Sequence, residues 1–215
     1  MPPRDRRTQQ ERTQATTTAL LSAARELFIA DGFAATSLSA VCSRAGVTRG
    51  AFYHHFQSKE EIFSRVFAIE QRKLATAVRD TFRRCEDPWT GVLEGCRTLL
   101  TASLAPDVRQ LTLVEAPIAL GWAHMRDIQA HCRHQLKMGL ALAVEAGCIP
   151  DHPLEPLTSF IYGGIGELTM DTARAGDDAH VDQAFNTLQI MLSGVMSETG
   201  KTCRHTIHPT ANATT

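Results

Sequence analysis

Three polar side chains and one glycine between positions 49 and 54 have the types and spacing suited to contact with a polynucleotide. Arg49, Gly50, Tyr53 and His54 fall on one face of a short predicted helix, and Phe52 falls on the opposite, apolar face. An arginine can donate two hydrogen bonds to guanine O6 and N7 in the major groove, while hydroxyl and ammonium groups suit phosphate oxygens. Gly50 removes bulk where a helix has to approach a base edge or a backbone closely. This face therefore indicates contact with double-stranded DNA.

Neighbouring polar residues extend this candidate surface toward the sugar-phosphate backbone. For Ser37, capping of a helix explains the residue equally well, because a short side-chain oxygen can accept a hydrogen bond from an unpaired backbone N–H. Together with the four residues above, the predicted DNA contacts include Thr36, Ser37, Arg44, Thr48 and Lys59.

Two short helices and a tight turn position these residues. Ser37 can cap the first helix, and Gly46 can end it, because glycine tolerates the left-handed backbone conformation there. Residues 49–56 form the second predicted helix, and Ser58 with Glu61 reads as a capping box that begins a third. Two helices joined by a short turn containing glycine form a helix-turn-helix arrangement.

Two longer stretches resemble the DNA-binding domain of TetR/AcrR-type transcriptional regulators. The run GVTRGAFYHHFQSKEEIF, which starts at Gly46, is similar to the end of that domain. The run LLSAARELFIADGFAATSL, which starts at Leu20, is similar to its first helix and the connection that follows. The resemblance covers roughly residues 15 to 67, and the rest of the chain resembles the family only in helical character and length.

The resemblance implies an all-α homodimer that binds a palindromic operator and is released by a small molecule, and we expect a repressor; the candidate lining residues given below suit a lipophilic effector. Arg49, Tyr53 and His54 would then enter the major groove. The two recognition helices of a dimer must match half-sites about 34 to 36 Å apart or a multiple of that distance. A ligand that binds better to a conformation with another spacing would release the DNA. The long predicted helix after Ser58 would connect the two halves.

Helical periodicity recurs along the chain, and no segment alternates as a strand would. We therefore expect an all-α fold of about nine helices, with an N-terminal three-helix DNA-binding domain followed by a helical ligand-binding and dimerisation domain. The expected division is a flexible basic arm over residues 1–12, the helix-turn-helix domain over 13–60, the second domain over 61–200 and a disordered tail over 201–215.

Charge is distributed unevenly between the two halves. Residues 1–59 contain eight Lys/Arg and four Asp/Glu, a net +4, whereas residues 60–215 contain fourteen and nineteen, a net −5, which together give −1. A basic front half suits contact with phosphate. No apolar run approaches the roughly 18 to 20 residues of a membrane span. The N-terminus also lacks the apolar stretch of a signal peptide, so we expect a cytoplasmic protein.

The last two predicted helices carry the candidate dimer interface. Gly163, Gly164 and Gly166 lie within one of them and cost helix stability, about 1 kcal/mol each relative to alanine in an exposed interior. This indicates that something packs closely there. A partner helix across a two-fold axis would make a four-helix bundle. Intramolecular packing or a ligand near the backbone remains open.

Lipophilic side chains in the second half could line an effector pocket. Each of them could equally belong to an ordinary core, and the sequence does not name the ligand. The predicted ligand-binding residues are Phe82, Trp89, Trp122, Met125, His131, Phe160 and Met170.

Three other chemistries have weaker support in the sequence. His124, His131, His134 and Cys132 share one predicted helix, but a zinc site needs three or four converging ligands, so we expect no metal and no other cofactor. Cys85 and Cys132 lie next to arginines, which leaves a DNA-binding regulator triggered by thiol oxidation open. Enzyme signatures such as GxSxG, HExxH and the P-loop are absent, so we expect no enzyme, although a helical small-molecule-binding protein or enzyme with a vestigial DNA-binding domain is a further alternative.

Overall fold

The computed structural model describes residues 8–175 and 178–196, without the side chains of residues 178 and 179. These residues form ten α-helical segments and one π-helical turn, and no strand occurs among them, which confirms the predicted all-α fold. In chain order the segments are α1 (Gln9–Ala30), α2 (Gly32–Ala35), α3 (Leu38–Ala45), α4 (Arg49–Tyr53), α5 (Lys59–Arg83), α6 (Pro88–Leu104), α7 (Pro106–Arg109), the π-helical turn Gln110–Glu115, α8 (Ala116–Glu145), α9 (Leu154–Ala175) and α10 (Asp178–Ser193).

The chain divides into two compact units. The first contains the residues up to Glu70 together with Pro106–Ile128, and the second contains Gln71–Ala105 and the residues from Gln129 onward. The sequence placed every residue after position 60 in the second domain. The structure instead groups the segment Pro106–Ile128 with the first unit, because side chains of α7 and the π-helical turn bind residues of that unit.

Local capping sets the ends of the short helices in the first unit. Ser37 accepts a hydrogen bond from the Ala40 N–H at 3.1 Å, and Gly46 ends α3 with φ of 68° in the left-handed region. Glu61 donates its N–H to the Ser58 hydroxyl at 3.1 Å, as the predicted capping box requires. The returning bond differs, since the Glu61 carboxylate accepts from the Gln57 N–H instead.

A second capping box was missed at the start of α1. The Thr8 side chain accepts from the Glu11 N–H, and the Glu11 carboxylate accepts from the Thr8 N–H. Consequently α1 begins at Gln9, whereas the predicted arm extended to residue 12. The rest of that arm and the predicted tail over residues 201–215 lie outside the described residues.

Three phenylalanine rings form the centre of the first unit. The rings of Phe28, Phe33 and Phe63 lie in pairs with centroids 5.1 to 5.7 Å apart, and all three side chains are buried. They come from α1, α2 and α5, so burial of these rings fixes the three helices against one another. Such aromatic pairs contribute about 0.5–1.5 kcal/mol each beyond the area they bury. This core supports α3 and α4 from the inside.

The π-helical turn contributes a buried carboxylate to the same unit. Glu115 accepts a hydrogen bond from the Phe33 N–H at 2.7 Å and another from the Gln110 side-chain amide at 2.8 Å. A β-carbon on Gly32 would lie 3.0 Å from a Glu115 oxygen, so glycine leaves room for this contact. Arg25 of α1 adds ion pairs to Glu70 and to Asp107 of α7. These contacts explain why Pro106–Ile128 belongs to the first unit.

In the second unit α6, α9 and α10 pack together around an aliphatic core. Leu100, Ile161 and Leu188 contribute one buried side chain from each of these helices. Five apolar residues of the two predicted interface helices are buried inside this core instead: Ile161, Ile165, Phe185, Leu188 and Leu192. No helix among the described residues has the length and apolar character needed to cross a membrane.

Candidate nucleic-acid interface and ligand cavity

The recognition face on α4 presents its predicted side chains to solvent. Arg49, Gly50, Tyr53 and His54 are exposed, whereas Phe52 is buried and meets the Tyr53 ring edge to face at 5.5 Å. α4 ends at Tyr53, three residues before the predicted end, although a hydrogen bond from the Phe56 N–H to the Phe52 carbonyl continues the turn. Because Phe52 anchors α4 in the core, the polar side chains on the opposite face remain available for contact with a DNA groove.

Ser37 and Thr48 use their hydroxyl oxygens to cap helices. Ser37 caps α3, and Thr48 accepts from the Ala51 N–H at 3.1 Å to cap α4. Both side chains remain exposed, and each hydroxyl keeps its own hydrogen for a further acceptor. A phosphate contact by either residue is therefore compatible with its capping role.

Arg44 lies in the last turn of α3 and is paired with Glu26 of α1. The two side chains approach to 2.9 Å, and about half of each is exposed. Exposed pairs of this kind are worth about 0–1 kcal/mol, so phosphate could replace the carboxylate at little cost. The placement is compatible with the predicted phosphate contact.

Thr36 and Lys59 occupy different positions from those that the sequence indicated. The Thr36 side chain is buried, and its hydroxyl donates to carbonyl oxygens inside the unit, 2.7 Å from that of Gly32. The Lys59 ammonium donates to the carbonyls of Phe33 at 2.7 Å, Ala34 at 3.3 Å and Thr36 at 3.0 Å. These bonds occupy all three ammonium hydrogens. The arrangement supports a structural role for both residues and not the predicted phosphate contacts by their side chains.

A cavity of about 400 Å³ lies inside the second unit. Its walls come from the last turns of α5 and from α6, α8 and α9, and most of the side chains are apolar. Its volume falls in the lower part of the range of small-molecule sites. The residues that line it are Val78, Arg79, Phe82, Arg83, Gly91, Val92, Gly95, Cys96, Leu99, Cys132, Gln135, Leu136, Met138, Gly139, Leu142 and Ile165.

Of the seven predicted ligand-binding residues, Phe82 lines this cavity and the other six do not. Trp122 and Met125 belong to the first unit, where Trp122 is 65% exposed and Met125 is buried in the core. Helical periodicity reveals an apolar face but not which neighbour covers it, and so it could not separate these positions from pocket positions. The remaining four lie in the second unit away from the cavity: Trp89 is buried in the core, His131 is exposed, Phe160 is 61% exposed and Met170 is half-buried.

Several cavity residues carried a signal that sequence reasoning did not use. Arg79 and Arg83 are four residues apart, which places them on one face of a helix, one turn from each other. Gly91 and Gly95 have the same spacing and allow close packing on α6. The four-residue spacing of two arginines in the last turns of α5 could have directed attention to this region.

Four of the six cysteines lie in environments that raise the pKa of their thiols. Burial raises the pKa of the Cys96 and Cys132 thiols to about 12. Burial also raises the pKa of Cys42 and of Cys85, where nearby carboxylates add to the effect. A reactive thiol needs a lowered pKa, so these four environments do not favour thiol sensing. Cys203 lies outside the described residues.

Potential metal ligands are scattered through the described part of the chain. His124 accepts or donates in a hydrogen bond with Ser64, while His131 and His134 are exposed. No group of three or more His, Cys, Asp or Glu side chains among the described residues is arranged to hold a metal ion.

Two family models match successive parts of the chain. Residues 20–66 match the model of bacterial regulatory proteins of the tetR family, and residues 89–195 match the tetracyclin repressor-like C-terminal domain. The first match contains the whole helix-turn-helix region, and the second contains most of the lining of the cavity.

Individual relatives agree with these models. The transcriptional regulator UidR of Escherichia coli is 35% identical over 71 residues, which are 33% of this chain and 36% of UidR. The regulator SrpR of Pseudomonas putida is 29% identical over 136 residues, which are 61% of this chain and 62% of SrpR. The chain thus spans about a third of the length of UidR and somewhat under two thirds of SrpR.

Solved structures extend the similarity to nearly the whole chain. A TetR-family transcriptional regulator from Pectobacterium atrosepticum matches 89% of this chain and 99% of its own, with 28% identity and a TM-score of 0.77. The two family models, the relatives and this structure agree on one architecture, a helix-turn-helix unit joined to a helical second unit. The chain belongs to the TetR family of bacterial transcriptional regulators.

Proposed function

We propose that the protein is a cytoplasmic, ligand-responsive transcriptional repressor that binds a palindromic operator as a homodimer. The observation that carries the DNA-binding part is the exposed Arg49, Gly50, Tyr53 and His54 face above the buried Phe52. The glycine lets the helix approach the duplex, and the arginine supplies a paired donor for a guanine edge. Ser37, Thr48 and Arg44 supply groups at the edge of the same unit that suit phosphate.

Selection of bound duplexes from a random DNA pool at two salt concentrations tests this part directly. A palindrome that survives the higher salt is the expected result, because base contacts add sequence preference to salt-sensitive phosphate contacts. Arg49→Ala should relax the preference at one position of each half-site and weaken binding by about 1–3 kcal/mol.

Arg84→Ala is a suitable control for the loss of one positive charge. Arg84 is exposed in the second unit and donates to the Thr81 hydroxyl. We expect its operator preference to match that of the original protein. Binding without sequence preference, or an unchanged preference at every position in Arg49→Ala, would remove the base-reading role.

We further propose that the outer faces of α9 and α10 form the dimer interface. Phe160 on α9 is 61% exposed and Ile190 on α10 is 73% exposed, and Met191 beside it is also exposed. Large apolar side chains that are exposed on two helices packed against each other suit a contact site. A β-carbon on Gly163 or Gly164 would have no described neighbouring atom of this chain within 4 Å, which leaves room for a partner helix to approach.

Analytical ultracentrifugation of two matched variants tests the interface. Ile190→Asp should convert the dimer to a monomer, because burying an unpaired carboxylate in an apolar contact is strongly unfavourable. Ile118→Asp is the control, since Ile118 is 68% exposed but lies in the first unit. Equal effects of the two substitutions, or an intact dimer in Ile190→Asp, would argue against this surface.

The cavity of the second unit is the effector site that we propose. Phe82 in the last turn of α5 forms part of its wall, and the same helix contributes Ile62 and Phe63 to the core of the first unit. A ligand that binds better to one position of α5 would shift the population toward that position. Such a shift would change operator affinity without any contact between ligand and DNA.

A further inference from the structure

The inner wall of the cavity is apolar. Val92, Leu99, Leu136 and Ile165 supply aliphatic surface from α6, α8 and α9. A body of hydrocarbon placed there would be removed from water, at a gain of about 25 cal/mol per Å² of apolar surface. Half-buried Gln135 adds an amide, and the thiols of Cys96 and Cys132 behave as small apolar groups. This part of the cavity therefore favours an apolar molecule but does not distinguish a charged ligand from a neutral one.

One side of the cavity is cationic. Arg79 and Arg83 both line it, and their spacing places them one turn apart on the same face of α5. Among the described residues that line the cavity there is no aspartate or glutamate. Arg83 is exposed, and it has no ion-pair partner among the residues that the structure describes. Met138 and Leu142 are also exposed lining residues, so the cavity opens to solvent on their side.

Arg79 is already paired, but weakly. Its guanidinium donates to the carboxylate of the adjacent Asp80 at 3.2 Å, and more than 40% of each side chain is exposed. An exposed ion pair between neighbours contributes little to stability, so a ligand carboxylate can replace Asp80 at small cost. Two guanidinium groups one turn apart can then donate hydrogen bonds to the same carboxylate, and charge-assisted bonds of this kind are stronger than those between neutral groups.

The ring of Phe82 fixes α5 in this position. Close approach is possible because the facing residues are glycines: a β-carbon on Gly91 would lie 2.7 Å from the ring, and one on Gly139 would lie 3.0 Å from it. Phe82 lies between the two arginines in sequence, so its packing holds the end of α5 against α6 and α8. The arginines are thereby kept beside the cavity and not merely somewhere on an exposed helix end.

We infer that the effector is an amphipathic anion, an apolar molecule with a single carboxylate, whose body fills the cavity and whose carboxylate is bound by Arg79 and Arg83. This inference rests on the proposed assignment of the cavity as the effector site. A neutral apolar ligand would use the same inner wall but would form no ion pair with Arg79 or Arg83.

Calorimetric titration of the full-length protein without DNA tests the charge requirement. Octanoate and 1-octanol are matched probes, because they share the chain and differ in the carboxylate. We expect octanoate to bind at least about tenfold more tightly than 1-octanol, because only the carboxylate can form charge-assisted hydrogen bonds with the guanidinium groups. Higher salt should weaken octanoate binding and leave 1-octanol binding unchanged, because the guanidinium groups are partly exposed.

Single substitutions locate the carboxylate. Arg83→Gln and Arg79→Gln should each weaken octanoate binding by about tenfold and change 1-octanol binding by less than about twofold. Arg84→Gln is the matched control, since it removes a neighbouring charge that does not line the cavity, and it should bind octanoate as the original protein does. Thermal unfolding of each variant checks that the fold is retained.

Three results would overturn the inference: equal affinity for the two probes, loss of octanoate binding in Arg84→Gln as large as in Arg83→Gln, or no saturable octanoate binding. A separate operator-release assay distinguishes this outcome from failure of the proposed function. Arginine-dependent octanoate binding that leaves operator affinity unchanged would support the ligand class and contradict the ligand response. Absence of any selected operator would contradict the DNA-binding function alone.

Discussion

Replacement of Lys59 by methionine tests whether this residue holds the first unit together or contacts DNA. Lys59 begins α5, and its ammonium reaches the carbonyls of Phe33, Ala34 and Thr36 at the end of α2. The last carbonyls of a helix have no partner within the helix, and a lysine that reaches them satisfies these acceptors. The ammonium also lies 4.3 Å from the centre of the Phe33 ring. Methionine keeps most of the aliphatic stem and removes the charge.

The contacts of Lys59 determine the expected loss in the free energy of unfolding of the first unit. Two of the three hydrogen bonds are short, and a hydrogen bond to a charged group contributes about 1.5–3 kcal/mol when buried. Lys59 is only half-buried, so water can partly replace the ammonium, and we take about 1 kcal/mol for each short bond. The cation–π contact adds about 0.5–1 kcal/mol at a partly exposed site. Lys59→Met should therefore destabilise the first unit by about 2–3 kcal/mol.

Hydrogen exchange measured by mass spectrometry reports this loss locally, which matters because two units need not unfold together. Peptides that cover residues 31–45 should exchange faster in Lys59→Met. Lys137→Met is the matched control: Lys137 pairs with Glu155 at 2.8 Å on the surface of the second unit, and such pairs contribute about 0–1 kcal/mol. Exchange of residues 31–45 should be unchanged in this control.

The salt dependence of operator binding separates the two roles of Lys59. A structural lysine leaves the number of phosphate contacts unchanged, so the slope of log K against log salt concentration should stay the same in the fraction that remains folded. A phosphate contact would lower that slope by about one unit. Unchanged hydrogen exchange together with a lower slope would contradict a structural role for Lys59 and support the predicted phosphate contact.

Three further substitutions test contacts that only the folded chain reveals. Glu115→Ala leaves the buried Phe33 N–H without its acceptor and should cost about 1–3 kcal/mol in urea unfolding of the first unit; no change would show that water replaces the carboxylate. Gly91→Ala places a methyl group 2.7 Å from the Phe82 ring, so it should lower stability by about 1 kcal/mol or more despite the better helix propensity of alanine, and stabilisation would mean that the ring moves freely. The buried indole N–H of Trp89 has no acceptor among the described residues, so Trp89→Phe should lose less than about 1 kcal/mol, and a loss above about 3 kcal/mol would mean that the indole is satisfied.

The recognition helix was predictable because its elements are local. Ser37 and Thr48 cap residues three positions ahead, and Gly46 adopts the left-handed conformation that its position requires. The exposed side of α4 follows from helical periodicity around Phe52. Each of these features depends on residues within one or two turns of each other, so the sequence contains all the partners.

The roles of Thr36 and Lys59 were not predictable in the same way. Both residue types suit phosphate, and their positions lie at the correct offsets from α4 in the sequence. What places them inside is the packing of α2 against α5, which brings Lys59 to carbonyls 23 to 26 residues away. Residue type determines which interactions a side chain can make, but not which partner lies within reach of it in the folded protein.

The cavity residues show the same contrast between local features, which the sequence predicts, and tertiary contacts, which it does not. Apolar periodicity identified helices in the second half but could not separate the core position Trp89 from the cavity position Phe82, because both are apolar residues on helix faces that turn inward. The arginines that give the cavity its charge stand on α5 among other charged residues, such as Arg65 and Arg72, that do not line it. Their significance depends on which helices pack beside them.

By itself the sequence determined the all-α class, the helix-turn-helix and its exposed recognition face, since propensity, capping and turn geometry operate over three to four residues. Tertiary structure alone decided that Pro106–Ile128 belongs with the first unit, that the Lys59 ammonium binds protein carbonyls, and that Arg79 and Arg83 border a cavity. The bond from the Phe33 N–H to Glu115 spans 82 residues of sequence. Contacts at such separation depend on how helices pack against one another, and no local pattern encodes that packing.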